Sequence, residues 1–348
     1  MNARGRGAGN NPPNRFEPLR FEPDAGLASD EEAPSPRTVF LRDDSQSVLS
    51  PNDADDLSFD YGLNPYRGCE HGCAYCYART YHEYLGFSAG LEFETRIVVK
   101  PDAPALLEKE LARPAYRPGL ISLSGVTDCY QPVERRLCIT RGCLEVLARF
   151  RNPVVVITKN KLVTRDADHL RELATHHAAA VYVSVTTLDP DLARILEPRA
   201  PTPRARLETI RMLSDAGIPA GVSAAPMIPG LNDSELPSIL ADAAAHGASF
   251  AAYSVVRLPG AVATVFADWL ETHRPGAKTK ILDRIRNSHQ GRLNQAPGTG
   301  RMRGSGQAAA VLRRLFEACC RKHGLQRGTP QLSSAAFRRL SPGQAELF

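Results

Sequence analysis

From Leu57 onward, short apolar runs alternate with stretches in which apolar residues recur every three or four positions. The runs at 93–100, 120–127, 153–158, 180–186, 218–225 and 248–256 predict strands. Between them, 103–113, 133–150, 165–177, 204–217 and 235–246 have helical spacing. Runs such as Val154-Val155-Val156-Ile157 are apolar on both faces, the pattern of strands covered by helices. Repeated strand–helix units imply right-handed crossovers and an α/β fold with a parallel sheet, open or closed into a barrel. Beyond Leu258-Pro259-Gly260 the pattern turns helical, at 261–273, 278–289 and 307–323, with a Gly/Arg stretch at 298–306.

The first 37 residues are rich in Gly, Asn and Pro and lack any period, which predicts disorder. Residues 38–41 and 47–49 are candidate short strands leading into an acidic loop. The organisation expected is an acidic, disordered N-terminal region (1–56), a core (57–275), a helical basic extension (276–328) and a flexible tail (329–348).

Charge sharpens this division. Residues 1–60 hold 6 Lys/Arg against 12 Asp/Glu, residues 61–270 are balanced, and residues 271–348 hold 15 against 4. The basic end is therefore the part to suspect of meeting a polyanion. No apolar run approaches the ~20 residues of a membrane span. Arg4 and Arg6 are not followed by an apolar segment, so a cytoplasmic location is expected. Eight cysteines in 348 residues are too few for a disulfide scaffold.

Three of those cysteines crowd into Cys69-Glu70-His71-Gly72-Cys73-Ala74-Tyr75-Cys76, spaced C-x3-C-x2-C. So short a loop can wrap three thiolates around one metal centre, with Gly68 and Gly72 supplying tight backbone turns. A cubane iron–sulfur cluster and a structural zinc both ordinarily take four protein ligands. Spacing alone leaves three readings: a cluster with one open iron, a zinc site completed by distant Cys129 or His82, or free thiols.

The cysteine spacing, with Tyr75 just before the third cysteine, resembles the radical S-adenosylmethionine (radical SAM) superfamily. The flanking Asn64-Pro65-Tyr66-Arg67-Gly68 and Tyr77-Ala78-Arg79 make it similar to the spore-photoproduct-lyase-like branch, over about residues 59–303. The resemblance implies a partial (β/α)6 barrel with a helical basic C-terminal extension. It implies that Cys69, Cys73 and Cys76 hold a [4Fe–4S] cluster whose fourth iron is chelated by S-adenosylmethionine. One electron, from a donor such as a flavodoxin or ferredoxin, would then release a 5′-deoxyadenosyl radical that abstracts substrate hydrogen.

In α/β barrels, function collects at the C-terminal ends of the strands. With the resemblance, Ser124, Gly125, Thr127 and Asp128 become candidates for the amino group of S-adenosylmethionine, although Asp128 would equally cap the next helix. Lys159 is the candidate for its carboxylate, Ser184 and Thr186 for its ribose, and the turn at Pro226, opposite Tyr75, for its adenine. Cys129, Tyr77 and Arg257, with Tyr130, are candidates on the substrate side. The hydrogen-donating cysteine of spore photoproduct lyase falls at Gly125 here, with Cys129 just past it. Cys138, Cys143, Cys319 and Cys320 lie on helical segments and read as small core residues.

Arg284, Arg286, Arg301, Arg303, Arg313 and Arg314 give the basic end a phosphate-tracking character, which favours nucleic acid, and DNA in particular, as the partner. The terminal Gln344-Ala345-Glu346-Leu347-Phe348 resembles the peptide by which repair proteins dock on a sliding clamp. The expected function is radical repair or modification of nucleic acid. The alternatives are radical modification of a peptide or small metabolite, and a zinc-stabilised nucleic-acid-binding module.

Overall fold

The computed structural model describes residues 5–17, 37–54, 56–295 and 300–340. Its strands in chain order are β1 (Val39–Arg42), β2 (Leu49–Pro51), β3 (Tyr61–Leu63), β4 (Tyr66–Arg67), β5 (Arg96–Val99) and β6 (Ile121–Leu123). They continue as β7 (Val154–Thr158), β8 (Ala179–Ser184), β9 (Ala220–Met227), β10 (Phe250–Val255) and β11 (Gln326–Arg327). Eight form one sheet, in the order β11-β10-β9-β8-β7-β6-β3-β2. Every neighbouring pair from β3 to β11 is parallel, and β2 alone runs antiparallel, at the β3 edge.

Parallel neighbours need crossovers, and helices Ala103–Ala112, Ile139–Phe150, Ala167–Thr175, Pro203–Asp215 and Leu236–Ala245 supply them. The alternation along β10 shows the two faces of the sheet. Phe250 and Ala252 join Val155, Ile157, Ala180 and Tyr182 on the inner face. Ala251, Tyr253 and Val255 face the helical layer, where the Tyr253 ring meets Phe316 at 4.7 Å. The strands from β3 and β6 to β10 make the expected six-stranded partial barrel. Its two edges approach through Arg301, which holds Asp56 with two bonds of 2.6 and 2.8 Å. Arg301 adjoins Met302, whose carbonyl accepts from Val255 of β10, and Asp56 precedes β3.

Several expectations are corrected. The run 93–100 is not a barrel strand: Leu91–Thr95 is helical and β5 joins a separate sheet, β1-β5-β4. The first barrel strand is β3, which the pattern does not reveal because it is three residues long. The helix expected at 133–150 breaks at Cys138, whose φ is +55°. Beside the break, the fully buried Glu134 carboxylate accepts from the Thr140 amide at 3.0 Å and from Arg165 at 2.7 Å. A further helix, Pro190–Leu196, starts on an Asp189 cap.

Both ends of the chain are more ordered than composition predicts. Residues 5–17 pack along 83–94, and Ala8 is buried there. At the other end, residues 328–340 run beneath the barrel. The Ser333 amide donates to His177 and that of Arg338 to Phe150, residues that precede β8 and β7. Leu332 joins the inner-face cluster and Phe337 packs on Tyr116 and Phe150. The segment expected to be a flexible tail is therefore, as far as residue 340, packed against the barrel. The clamp-like peptide Gln344 to Phe348 lies outside the described residues. Among the described residues, no helix is long and apolar enough to cross a membrane.

Candidate radical and cofactor site

The cysteine loop follows β3 and the two-residue β4 and sits at the C-terminal end of the barrel. Its backbone is held from several sides. The Gly68 carbonyl accepts from Thr127 at 2.7 Å and from Gln131 at 3.2 Å. The Cys69 amide donates to Phe93, the Ala74 amide to Leu196, and the His71 carbonyl accepts from Arg199. Glu70 reaches Val133 with one oxygen and Arg199 with the other. These bonds fix the loop before any ligand arrives.

Cys69, Cys73 and Cys76 all line one cavity of about 440 Å³ at the barrel mouth. Burial pushes the Cys73 and Cys76 thiols up; Lys159 and Arg79 pull them down, and the neighbouring cysteines push the other way. Such a set calls for a cationic centre. Among the described residues no group of His, Cys, Asp and Glu surrounds a single-ion position. A cubane does not require one, since each thiolate binds a different iron. Neither residue offered for a zinc site lines the cavity: His82 packs between Phe87 and Phe93, and Cys129 lies in the main core. The donor set therefore fits a cluster held by three thiolates.

The remaining wall comes from the strand ends. Ser124, at φ +95°, and Gly125, at φ +154°, carry the chain away from β6 in a backbone conformation that L side chains rarely adopt. The Ser124 hydroxyl donates to the Thr127 carbonyl. Asp128 lines the cavity, but its carboxylate is already engaged. One oxygen accepts from Tyr130 at 2.9 Å and Thr158 at 2.7 Å; the other accepts from the Lys159 amide at 2.8 Å and faces His71 Nδ1 at 3.4 Å. Burial pushes the Asp128 carboxyl up, yet His71 and the amide and hydroxyl donors bring it to about 2. It acts as the hub joining β6, β7 and the cysteine loop.

Lys159 lines the cavity beside a group that sequence reasoning missed. Glu197 is buried, holds Arg206 in a close ion pair and lies 3.9 Å from Lys159. It also accepts from the Tyr75 hydroxyl and from Thr186 at 2.8 Å. Burial pushes its carboxyl up, but Arg206 and Lys159 bring it to about 2. Tyr75 is thus locked with its ring in the cavity wall, and Thr186 is committed to Glu197, whereas Ser184 and Pro226 face the cavity. No local motif marks Glu197, since its partners Tyr75, Lys159, Thr186 and Arg206 come from four separate segments.

On the substrate side, Tyr77 and Arg257 meet: the guanidinium sits 4.1 Å from the ring centroid, and the Tyr77 hydroxyl donates to the Gly125 carbonyl. Cys129 is corrected. It is fully buried, is absent from the cavity wall, and burial pushes its thiol well up. Among the described residues, the only thiols on that wall belong to the loop. Tyr130 is likewise buried, donating to Asp166 at 3.0 Å.

The family model for the radical SAM superfamily matches residues 63–243. An uncharacterized Mycobacterium tuberculosis protein is 39% identical over 221 residues, covering 63% of this chain and 65% of the relative. An uncharacterized Methanocaldococcus jannaschii protein is 29% identical over 175 residues, 50% of this chain and 63% of the relative. The chain thus spans just under two thirds of these relatives' lengths. Among solved structures, a spore photoproduct lyase double mutant with bound AdoMet and dinucleoside spore photoproduct superposes with a TM-score of 0.60. That likeness covers 83% of this chain and 81% of the other at 17% identity, which speaks for a shared fold. With its model spanning more than half the residues, the chain belongs to the radical SAM superfamily, whose cofactors are a [4Fe–4S] cluster and S-adenosylmethionine.

Proposed function

We propose that this protein is a radical SAM enzyme acting on nucleic acid, DNA first, in repair or modification of a base or sugar. When bound, the cluster supplies one electron that cleaves S-adenosylmethionine and so furnishes a 5′-deoxyadenosyl radical. The protein's own residues position and shield. Cys69, Cys73 and Cys76 would hold the cluster, leaving one iron for the cofactor's amino and carboxylate groups. Ser124, Gly125 and Thr127 would offer backbone carbonyls to that amino group, and Lys159 a cation to that carboxylate. Ser184 would meet the ribose, with Tyr75 and Pro226 walling the adenine. An electron donor such as a flavodoxin or ferredoxin would feed the cluster.

The observation that carries the choice of substrate is a set of arginines around the end of β10. Arg257 and Arg303 line the cavity, Arg284 lies against Gly230 in the turn after β9, and Arg292 precedes Leu293, whose carbonyl accepts from Leu258. None of the four forms a salt bridge among the described residues, unlike Arg165, Arg206 and Arg301. The acids of the cavity wall are already satisfied: Asp128 as above, Asp56 by Arg301. A mouth with uncompensated positive charge and neutralised acids suits a phosphate backbone.

The test is anaerobic reconstitution with iron and sulfide, followed by dithionite and S-adenosylmethionine. 5′-Deoxyadenosine should form faster with DNA present and carry deuterium from labelled nucleotides. Cleavage without transfer from any nucleotide would point instead to a peptide or small metabolite. A cluster-loaded sample that forms no 5′-deoxyadenosine would reject the radical reading altogether.

A further inference from the structure

We propose that residues 6–14 are a built part of the cluster site, a strap that fixes the cysteine loop from behind. The proposal rests on the assignment of the cluster to Cys69, Cys73 and Cys76.

At the centre of the arrangement is Glu94, fully buried. One of its oxygens accepts from the Gly7 amide at 3.1 Å, and the other from the Ala8 amide at 2.9 Å and Arg79 at 2.5 Å. Arg79, also fully buried, spends two more donors on the Cys73 carbonyl, at 2.9 and 3.1 Å, and others on Ala89 and Gly90. An unbroken polar chain thus runs from strap amide to carboxylate, guanidinium and the carbonyl of a cluster cysteine. Charge-assisted bonds of this kind are the stronger class, and in a buried setting each depends on the others.

Steric contact makes the same connection. A Cβ on Gly7 would lie 1.6 Å from the Gly72 carbonyl oxygen and 3.1 Å from the Ala74 nitrogen, so only glycine lets the strap reach the loop. Farther along, the Asn10 carbonyl accepts from Leu91 at 3.1 Å and would lie 2.0 Å from a Cβ on Gly90. The Pro12 carbonyl accepts from Ser88 at 2.7 Å. Asn14 ends the strap by donating to the Glu83 and Phe87 carbonyls, at 2.9 and 3.0 Å. The strap therefore lies on the segment that follows the cysteine loop and touches the loop at Gly72, the residue immediately before Cys73. Its role is positioning: none of its residues lines the cavity, and it acts through the backbone that aims the cysteines.

The test uses the full chain, reconstituted anaerobically, in wild-type, Gly7→Ala and Asn14→Ala forms. Iron release to a colorimetric ferrous chelator, far-UV thermal melting and the electron paramagnetic resonance of the reduced cluster, with and without S-adenosylmethionine, are recorded. Loss of the two amide bonds to Glu94 predicts iron release about tenfold faster in Gly7→Ala, with a smaller acceleration in Asn14→Ala. The Gly7→Ala spectrum should broaden or shift while the barrel melts as before. Wild-type release and an unchanged spectrum in Gly7→Ala would overturn the proposal, as would acceleration that only follows a lowered melting temperature. Should Gly7→Ala fail to fold, wild-type release in Asn14→Ala overturns it. A wild-type chain that takes up no iron and sulfide would instead bring down the cluster assignment, and this proposal with it.

Discussion

A carboxylate buried as completely as that of Glu197 survives because Arg206, Lys159, Tyr75 and Thr186 surround it. Removing one member of a buried pair costs about 3–5 kcal/mol, so Glu197→Gln should destabilise the fold by roughly that much in denaturant titration. The sign of its pH dependence follows from a depressed folded-state value. The stabilisation is full above the unfolded carboxyl range, near ~4.3, and is lost as pH falls toward the folded value of about 2. Glu197→Gln should therefore flatten the acid limb of the stability profile, and an unaltered limb would contradict this account. Cys129 gives the opposite kind of prediction. Cys129→Ala should cost ~1–2 kcal/mol of packing yet leave 5′-deoxyadenosine formation near the wild-type rate; a large loss of turnover would return it to the reacting atoms. The cluster cysteines and most cavity residues were legible because they sit at strand ends or in a dense motif. Glu197 and Arg206 were not, because their pairing exists only once separate segments meet.

At the scale of elements, the count of six barrel strands was legible and their membership was not. The 96–99 run carries the apolar character of a buried strand, and nothing in that character says which sheet it joins. The strap illustrates a second limit. Its Gly, Asn and Pro content reads as disorder, and its order comes from backbone amides meeting a buried acid that no local pattern announces. The chain end sets the same limit: Leu332 and Phe337 are isolated apolar residues in a polar stretch, yet both reach the barrel's underside. Leu332→Ala, half-buried in the native state, should cost about 1–2 kcal/mol, checked by thermal melting. A neutral outcome would mean that the segment's packing contributes little to the fold.

For the whole molecule, charge is the property that reaches furthest. The basic end and the acidic start partly offset each other through the Arg301–Asp56 contact, which also spans the gap between the two barrel edges. The four arginines around β10 remain uncompensated by any salt bridge among the described residues, and they set the expected salt response. Affinity for single-stranded DNA should fall with salt at about −0.7 in log–log slope per phosphate neutralised. Replacing Arg303 by Gln should reduce that slope by about one phosphate's share across all sequences, read by fluorescence titration at several ionic strengths. A slope insensitive to Arg303, Arg284 and Arg292 together would count against the proposal that this mouth meets a phosphate backbone.

The segment running under the barrel has a consequence for reactive chemistry. With Leu332 seated among Val155, Tyr182 and Phe250, the inner face of the sheet is covered from below by apolar side chains, while the cysteines, Arg257 and Arg303 line the cavity at its mouth. If the proposed radical chemistry takes place at that mouth, a short-lived carbon radical would have aliphatic and aromatic side chains behind it.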